Sequence, residues 1–225
     1  MIHTITLLNE KSLQKLLKIY DNATFEHGSM TNPNNLNDKK IITEKKNLLE
    51  ISDGEYAKQC QNILSENILR SNDFYDFAMP KTYGSMNFLK YDKGMYYHKH
   101  NDYYMMSNFR SDISCTVFLN DPSEYEGGEL VITVGNKDID FKLNAGEAIL
   151  YPTGLMHKVN PVLSGTRKVI VFWIESAIQD SRIRNIYQDF CLFYTKHKEY
   201  ITQSEEFANE LAALKYNIIR NFLTL

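Results

Sequence analysis

The sequence predicts a mainly β protein with flanking helices (α+β), in which a β-sandwich or jelly-roll core is buttressed by N- and C-terminal α-helices. Between about residues 73 and 175 the chain consists of short runs punctuated by Gly, Pro, Asn and Asp, whereas apolar residues on either side follow helical spacing. A strand-rich centre between helical ends is typical of sheets packed against helices. With 225 residues, 43% of them hydrophobic, the chain can form one domain with a substantial core.

The N-terminal segment, residues 1–72, is expected to be a helical and irregular buttress of that domain. Asn9 can cap a first helix, since the apolar residues that follow it keep helical spacing. Residues 22–47 are polar and rich in Asn and Lys, which indicates a surface excursion. The segment Ser52–Glu55 has the pattern of a capping box and predicts a second helix after it.

The central segment, residues 73–176, carries the strands of the predicted core. We place them at 73–79, 84–91, 95–102, 113–119, 129–134, 137–143, 147–151, 156–162 and 167–175. Gly135-Asn136 and Ser164-Gly165 are typical of hairpin turns. The last strand is apolar on both faces beyond its start, so we expect it to be central in its sheet.

Residues 177–225 form a predicted C-terminal helical extension. Helical spacing returns from Arg182 to Tyr194 and again from Ser204 to Leu223.

Charge and cysteine content exclude several classes of function. A net charge of −3 and a pI near 6.1 give no bulk electrostatic attraction to nucleic acid or to anionic membranes. No apolar run approaches the length of a transmembrane helix, and the N-terminus lacks the features of a signal peptide. Three scattered cysteines without metal-binding spacing indicate reduced thiols. We therefore expect a soluble, cytoplasmic protein.

A candidate metal site comes from two histidines and one aspartate. His100 and Asp102 are two residues apart on a predicted strand, where positions i and i+2 face the same side, and His157 follows far downstream. Two imidazoles and one carboxylate, with other coordination positions open, are the ligands of non-heme Fe(II) oxygenases. Arg167 follows ten residues after the second histidine, and its planar cation suits a carboxylate.

Short strings in a fixed order surround these four residues. They are Lys90–Met95 leading into His100–Asp102, Arg110–Asp112, Phe118–Asn120, Tyr125–Leu130, Leu150–Pro152 and His157–Val162. In this order and spacing they resemble the PKHD-type hydroxylases, a branch of the prolyl 4-hydroxylase-like, Fe(II)- and 2-oxoglutarate-dependent dioxygenases. The resemblance covers nearly the whole chain and is weakest over residues 22–70.

The resemblance implies a fold, a reaction and a set of site residues. The fold would be a double-stranded β-helix (jelly roll), and the reaction a hydroxylation that consumes O2 and 2-oxoglutarate and releases succinate and CO2. His100, Asp102 and His157 would bind Fe(II), and Arg167 would bind the distal carboxylate of 2-oxoglutarate. Tyr91 matches a position whose hydroxyl contacts the co-substrate. Ascorbate is the expected reductant.

The substrate side of the site is less defined by the sequence. Residues 103–110 are rich in aromatic residues and Met, so they either form a lid or substrate wall over the metal or pack on a neighbouring helix. By strand parity His98 faces the same side as His100, but a position at the rim of the site is the favoured interpretation. The candidate substrate contacts are Tyr97, His98, Tyr103, Tyr104 and Arg110.

Two alternatives to the oxygenase remain open from the sequence. A cupin-type metalloenzyme would use His98, His100 and His157 with Mn, Ni or Zn and would need no 2-oxoglutarate. A non-catalytic metal-binding module could keep the same barrel. For the oxygenase, the family label suggests prolyl or lysyl side chains in a peptide or protein as substrate, with a small molecule as the other possibility. The oligomeric state is not set by the sequence.

Overall fold

The computed structural model describes residues 1–28, 47–49 and 54–223 and has a strand-rich centre between helical ends. In chain order the strands are β1 (His3–Thr6), β2 (Phe25–His27), β3 (Asn47–Leu49), β4 (Pro80–Tyr91), β5 (Tyr97–His100), β6 (Met105–Met106), β7 (Phe109–Arg110), β8 (Ile113–Phe118), β9 (Tyr125–Gly127), β10 (Leu130–Val134), β11 (Lys137–Phe141), β12 (Glu147–Pro152), β13 (His157–Val159), β14 (Val162–Gly165) and β15 (Arg167–Ser176). The helices are α1 (Glu10–Asn22), α2 (Glu55–Arg70), α3 (Asn72–Ala78), α4 (Ser181–Ile201) and α5 (Glu205–Phe222).

Two antiparallel sheets dominate the described part of the chain. The larger has seven strands in the order β1-β12-β8-β15-β4-β3-β2, and the smaller has four in the order β11-β10-β13-β5. Two further pairs, β14-β9 and β6-β7, stand apart from them. Strand β15 lies between β8 and β4, which confirms the prediction that the last strand is central.

Each face of the larger sheet contributes to a different core. Phe88 packs with α1, α2 and α3 residues such as Leu16 and Leu64, whereas its neighbour Leu89 packs with Ile132 and Val159 of the smaller sheet. This alternation follows from the two-residue period of a strand. Helices α1, α2 and α3 therefore cover one face of the larger sheet, and the smaller sheet covers the other. The functional residues lie between the two sheets.

The structure confirms the helices predicted near both ends of the chain. The Asn9 side chain accepts a hydrogen bond from the Ser12 N–H at 2.9 Å, as an N-cap should. Helix α2 forms with Gly54 as its N-cap, while Ser52 and Asp53 of the predicted capping box lie outside the described residues. Helix α4 ends at Ile201, seven residues beyond its predicted end at Tyr194. None of the described helices has the length and apolar character that crossing a membrane requires.

Two of the predicted strands were wrong. Residues 73–79 form helix α3 instead, because Ser71 caps the Phe74 N–H and the buried residues Phe74, Phe77 and Ala78 have helical spacing. The predicted strand 156–162 is divided between β13 and β14.

The Ser164-Gly165 pair is not a hairpin turn, since both residues belong to β14, which pairs with β9. The glycine at 165 is needed for a close approach. It has φ +72°, and a Cβ there would meet the Glu124 carbonyl oxygen at 2.2 Å. The predicted excursion over residues 22–47 lies largely outside the described residues, although β2 falls within it.

Candidate active site

The two histidines are placed opposite each other by strand pairing. His100 ends β5 and His157 begins β13, and the two are direct partners in this antiparallel pair. Their ring centroids lie 4.3 Å apart. Asp102 lies two residues after β5 ends, so it is not on the strand as predicted, yet its Oδ1 is 3.6 Å from His100 Nε2 and 3.7 Å from His157 Nε2. The three donor atoms thus converge on one point.

Backbone carbonyls fix the orientation of both imidazoles. His100 Nδ1 lies 2.6 Å from the His98 carbonyl oxygen, and His157 Nδ1 lies 3.0 Å from that of Leu155. A carbonyl can only accept, so Nδ1 carries the proton in each ring and donates it. When a metal binds, Nε2 is therefore the atom of each ring that supplies the lone pair, and it lies on the side of Asp102.

Asp102 is held by two donors from the central strands of the larger sheet. Its Oδ2 accepts hydrogen bonds from Ser114 Oγ at 2.8 Å and from Trp173 Nε1 at 2.9 Å. These two residues are direct partners in the β8–β15 pair, which explains why both reach the same oxygen. Oδ1 is left facing the histidines. Burial raises the pKa of Asp102, but His100, His157 and the Trp173 N–H outweigh it and bring that pKa to about 2, so the carboxylate is ionised.

This donor set fits Fe(II). In the described residues, His100, Asp102 and His157 are the one group of three or more His, Cys, Asp or Glu side chains that could hold a metal, with ligand atoms within 4.8 Å of one another. Two neutral imidazoles and one carboxylate, open on the cavity side, are suited to iron that must also bind oxygen ligands.

Arg167, the first residue of β15, is a buried cation with no anionic partner in the part of the chain that the structure describes. Only 1% of it is exposed, no ion pair joins its guanidinium to another described residue, and its Nε has no hydrogen-bond partner among them. Its guanidinium carbon lies 5.0 Å from the centre of the Tyr91 ring and 5.4 Å from that of Phe118. Because an unpaired buried charge is strongly unfavourable, this site is suited to an anionic ligand. A carboxylate of 2-oxoglutarate fits that requirement.

A cavity of about 460 Å³ connects the metal-ligand candidates to Arg167. It is lined by Ser85, Asn87, Leu89, Tyr91, Tyr97, His100, Asn101, Asp102, Tyr103, Met106, Ser107, Thr116, Leu130, Tyr151, His157, Val159, Arg167, Val171 and Trp173. The cavity therefore brings together the predicted metal ligands, the predicted anion-binding residue and three tyrosines named from the sequence, Tyr91, Tyr97 and Tyr103.

Three predicted substrate contacts do not line this cavity. The His98 ring is exposed and lies 5.0 Å from the Tyr96 ring, so the cupin ligand set is not formed. Tyr104 is 80% exposed. The Arg110 guanidinium binds Asp112 at 2.8–3.0 Å. The Arg110 side chain therefore stabilises the chain beside the cavity and does not line the cavity itself.

Residues 103–110 form a wall of the cavity. Strands β6 and β7 pair as a short hairpin, with Ser107 in a left-handed conformation at φ +55°. Tyr103, Met106 and Ser107 all line the cavity, which favours the substrate wall over packing on a helix. Movement of this hairpin as a lid stays a prediction.

The sequence did not identify Trp173 and Ser114 as residues that position Asp102. A signal for the tryptophan was present, since strand parity puts residues 167, 171 and 173 on one face of β15. No local signal identified Ser114, because its role depends on the pairing of β8 with β15.

Comparisons with known proteins agree with this geometry. The model of the 2OG-Fe(II) oxygenase superfamily matches residues 86–175, a range that contains all four predicted site residues. A PKHD-type hydroxylase from Sphingopyxis alaskensis is 33% identical over 83% of this chain and 84% of that protein. Another from Picosynechococcus sp. is 38% identical over 81% of each chain.

Solved structures support the fold. A prolyl hydroxylase from Trichoplax adhaerens, in complex with a hypoxia inducible factor oxygen degradation domain peptide fragment, has a TM-score of 0.55 at 18% identity and covers 77% of this chain and 82% of its own. A prolyl-4-hydroxylase from Pseudomonas putida has a TM-score of 0.53 at 15% identity and covers 78% and 92%. The predicted jelly-roll core with flanking helices is confirmed.

Proposed function

Because the chain belongs to the PKHD-type hydroxylases of the 2OG-Fe(II) oxygenase superfamily, we propose roles for the side chains of its cavity. The protein is an Fe(II)- and 2-oxoglutarate-dependent dioxygenase, so neither the cupin nor the non-catalytic alternative is retained. We assign His100, Asp102 and His157 as the iron ligands and Arg167 as the residue that binds the distal carboxylate of 2-oxoglutarate. The observation that carries this assignment is the convergence of three donors in one cavity with an unpaired buried cation.

The bound iron and 2-oxoglutarate supply the oxidation, in which O2 is consumed, succinate and CO2 are released and a substrate C–H bond is hydroxylated. The protein holds the reacting groups in place. The His98 and Leu155 carbonyls keep both imidazoles in the metal-binding tautomer. Ser114 and Trp173 keep Oδ1 of the aspartate, and not Oδ2, directed at the metal.

The cavity wall also sets the local dielectric around Arg167 and supplies a hydrogen-bond donor. Leu89, Leu130 and Val159 line it with apolar groups, which lower the local dielectric and strengthen the pairing of Arg167 with a carboxylate. Burial raises the pKa of Tyr91, so its hydroxyl stays protonated and can donate a hydrogen bond to the co-substrate.

The charges in the cavity favour a neutral substrate group. Apart from the histidines, Asp102 and Arg167 are the charged side chains in its lining, and both are assigned to iron and 2-oxoglutarate. Among the described residues that line the cavity, no other carboxylate can pair with the ammonium group of a lysyl side chain. We therefore propose a prolyl side chain in a peptide or protein, placed against Tyr97 and Tyr103, in preference to a lysyl one.

The proposed cellular location rests on the state of the cysteines. Cys60, Cys115 and Cys191 are free and buried, as expected in a reducing compartment. On that basis we retain the cytoplasm as the proposed location. Ascorbate as reductant stays a prediction.

The function is tested by turnover with peptide libraries. The purified enzyme with Fe(II), O2 and 2-oxoglutarate is incubated with matched prolyl and lysyl peptides, and succinate release is measured together with the mass gain of one oxygen atom. We expect product only from prolyl peptides and none with Asp102→Ala. Turnover that persists in Asp102→Ala would overturn the ligand assignment, and faster hydroxylation of lysyl peptides would overturn the substrate proposal.

A further inference from the structure

Two buried side chains that meet at Gly128, Tyr125 and Arg167, each carry a polar atom without a hydrogen-bond partner in the described residues. In the described residues, the buried side-chain N and O atoms without a hydrogen-bond partner are Tyr125 Oη, Arg167 Nε and Gln188 Oε1. The first two belong to neighbouring side chains. A Cβ built at Gly128 would lie 3.2 Å from both Arg167 Cδ and Tyr125 Cε2, so both side chains cover the same glycine.

Tyr125 is held firmly in this position. It is the first residue of β9 and is only 3% exposed. The Lys142 ammonium donates to its carbonyl oxygen at 2.6 Å and lies 4.1 Å from the centre of its ring. On the other side, its backbone packs closely on Gly165, where a Cβ would lie 2.8 Å from the Tyr125 Cα. The phenol therefore stays next to Arg167.

The chemistry of the two atoms is complementary. Nε–H of Arg167 is a donor without an acceptor, and the phenolic oxygen of Tyr125 is an acceptor without a donor. The rings of Tyr91 and Phe118 contact the guanidinium but supply no acceptor to Nε. Burial raises the pKa of Tyr125, with Arg167 opposing that shift, so the phenol is neutral and can accept this hydrogen bond.

We propose that Tyr125 is a positioning residue for 2-oxoglutarate. When the co-substrate binds, Arg167 Nε–H donates to Tyr125 Oη, which fixes the plane of the guanidinium and directs its two Nη groups at the distal carboxylate. The effect is specific to that carboxylate, because Tyr125 acts through Arg167 and does not line the cavity itself. This inference rests on the proposed role of Arg167.

The test compares two ligands that differ at one end. Wild type, Tyr125→Phe and Tyr20→Phe are loaded with Mn(II) and titrated without O2 with 2-oxoglutarate or with 2-oxobutyrate, which has the same 2-oxo acid but no distal carboxylate. Binding is followed by calorimetry or by the fluorescence of Trp173, the chain's single tryptophan and part of the cavity wall. Tyr20 is the matched control, since it is equally buried and its hydroxyl donates to the Val169 carbonyl oxygen.

We expect Tyr125→Phe to weaken 2-oxoglutarate binding about tenfold and to leave 2-oxobutyrate within about twofold of wild type. Tyr20→Phe should change neither affinity, even if it lowers the melting temperature. In an Arg167→Ala background, Tyr125→Phe should have no further effect on 2-oxoglutarate. Gly128→Ala, which crowds both side chains, is an independent variant that should also weaken 2-oxoglutarate more than 2-oxobutyrate.

Four results would overturn the inference. Unchanged 2-oxoglutarate affinity in Tyr125→Phe, or an equal loss for both acids, would remove Tyr125 from this role. The same loss with Arg167 already absent would show that it does not act through the guanidinium. A wild-type protein that binds Mn(II) but not 2-oxoglutarate would reject the proposed function as well, which distinguishes that failure from the first three.

Discussion

Removing the Ser114 hydroxyl tests whether the larger sheet positions the metal ligand Asp102. In Ser114→Ala, Oδ2 of the aspartate loses the 2.8 Å hydrogen bond and keeps the one from Trp173 at 2.9 Å. A hydrogen bond to a charged group contributes about 1.5–3 kcal/mol, and loss of such an outer partner typically weakens metal binding about 10–100-fold. Since one of two donors remains, we expect a value near the lower end, about tenfold.

The assay is competition between the protein and a chelator for Mn(II) or anaerobic Fe(II). Thr116→Val is the matched control, because Thr116 lies two residues along the same strand and also lines the cavity, whereas the hydrogen bonds to Asp102 Oδ2 come from Ser114 and Trp173. Its metal affinity should stay within about twofold of wild type, a change of under about 0.5 kcal/mol. Wild-type metal affinity in Ser114→Ala, or an equal loss in both variants, would refute the reasoning.

Three further perturbations follow from the same structure. Arg167→Met removes a buried cation that forms no ion pair with the described residues, so the metal-free protein should unfold in urea with an equal or higher free energy, by up to about 4 kcal/mol. In this variant 2-oxoglutarate binding should be strongly weakened, and a clear loss of stability would contradict the expectation. Alanine at Tyr103 or Met106 should raise KM for the peptide without changing 2-oxoglutarate affinity, because both side chains line the cavity. Alanine at the exposed Tyr200 should change neither value. An unchanged KM in the first two variants would show that the hairpin does not bind the substrate. Phe74→Ala should lower the free energy of unfolding by about 3–5 kcal/mol, because Phe74 is fully buried against the larger sheet. The measurement is chemical denaturation, and a loss under about 1 kcal/mol would show that Phe74 does not contribute to the core.

Much of the metal site was predictable because its residues are few and chemically distinctive. His100 and His157 were identified from residue type and order, and their pairing across β5 and β13 is what brings them together. The parity argument for Asp102 was only partly right, since β5 ends at His100 and the aspartate reaches the site from the following residues. The sequence therefore identified the three ligands, but not the strand pairing and the loop that bring them together.

The sequence did not show which strands pair with each other or in which register. Ser114 contributes to the site because the register of β8 against β15 places it opposite Trp173. The glycine at 165 looked like a turn signal, but its positive φ serves a close approach of two strands. Helix α3 was mistaken for a strand because short aromatic runs fit both periods, although Ser71 offered a capping signal.

The central claim is that the three donors and Arg167 act on one iron and one 2-oxoglutarate. The most direct measurement is the visible absorption of the Fe(II)-loaded protein on addition of 2-oxoglutarate without O2. We expect a charge-transfer band in wild type, its loss in Asp102→Ala together with the iron, and a band in Arg167→Ala only at much higher 2-oxoglutarate concentration. A wild-type protein that binds iron but shows no band at any 2-oxoglutarate concentration, or an Asp102→Ala variant that keeps both iron and band, would contradict the account.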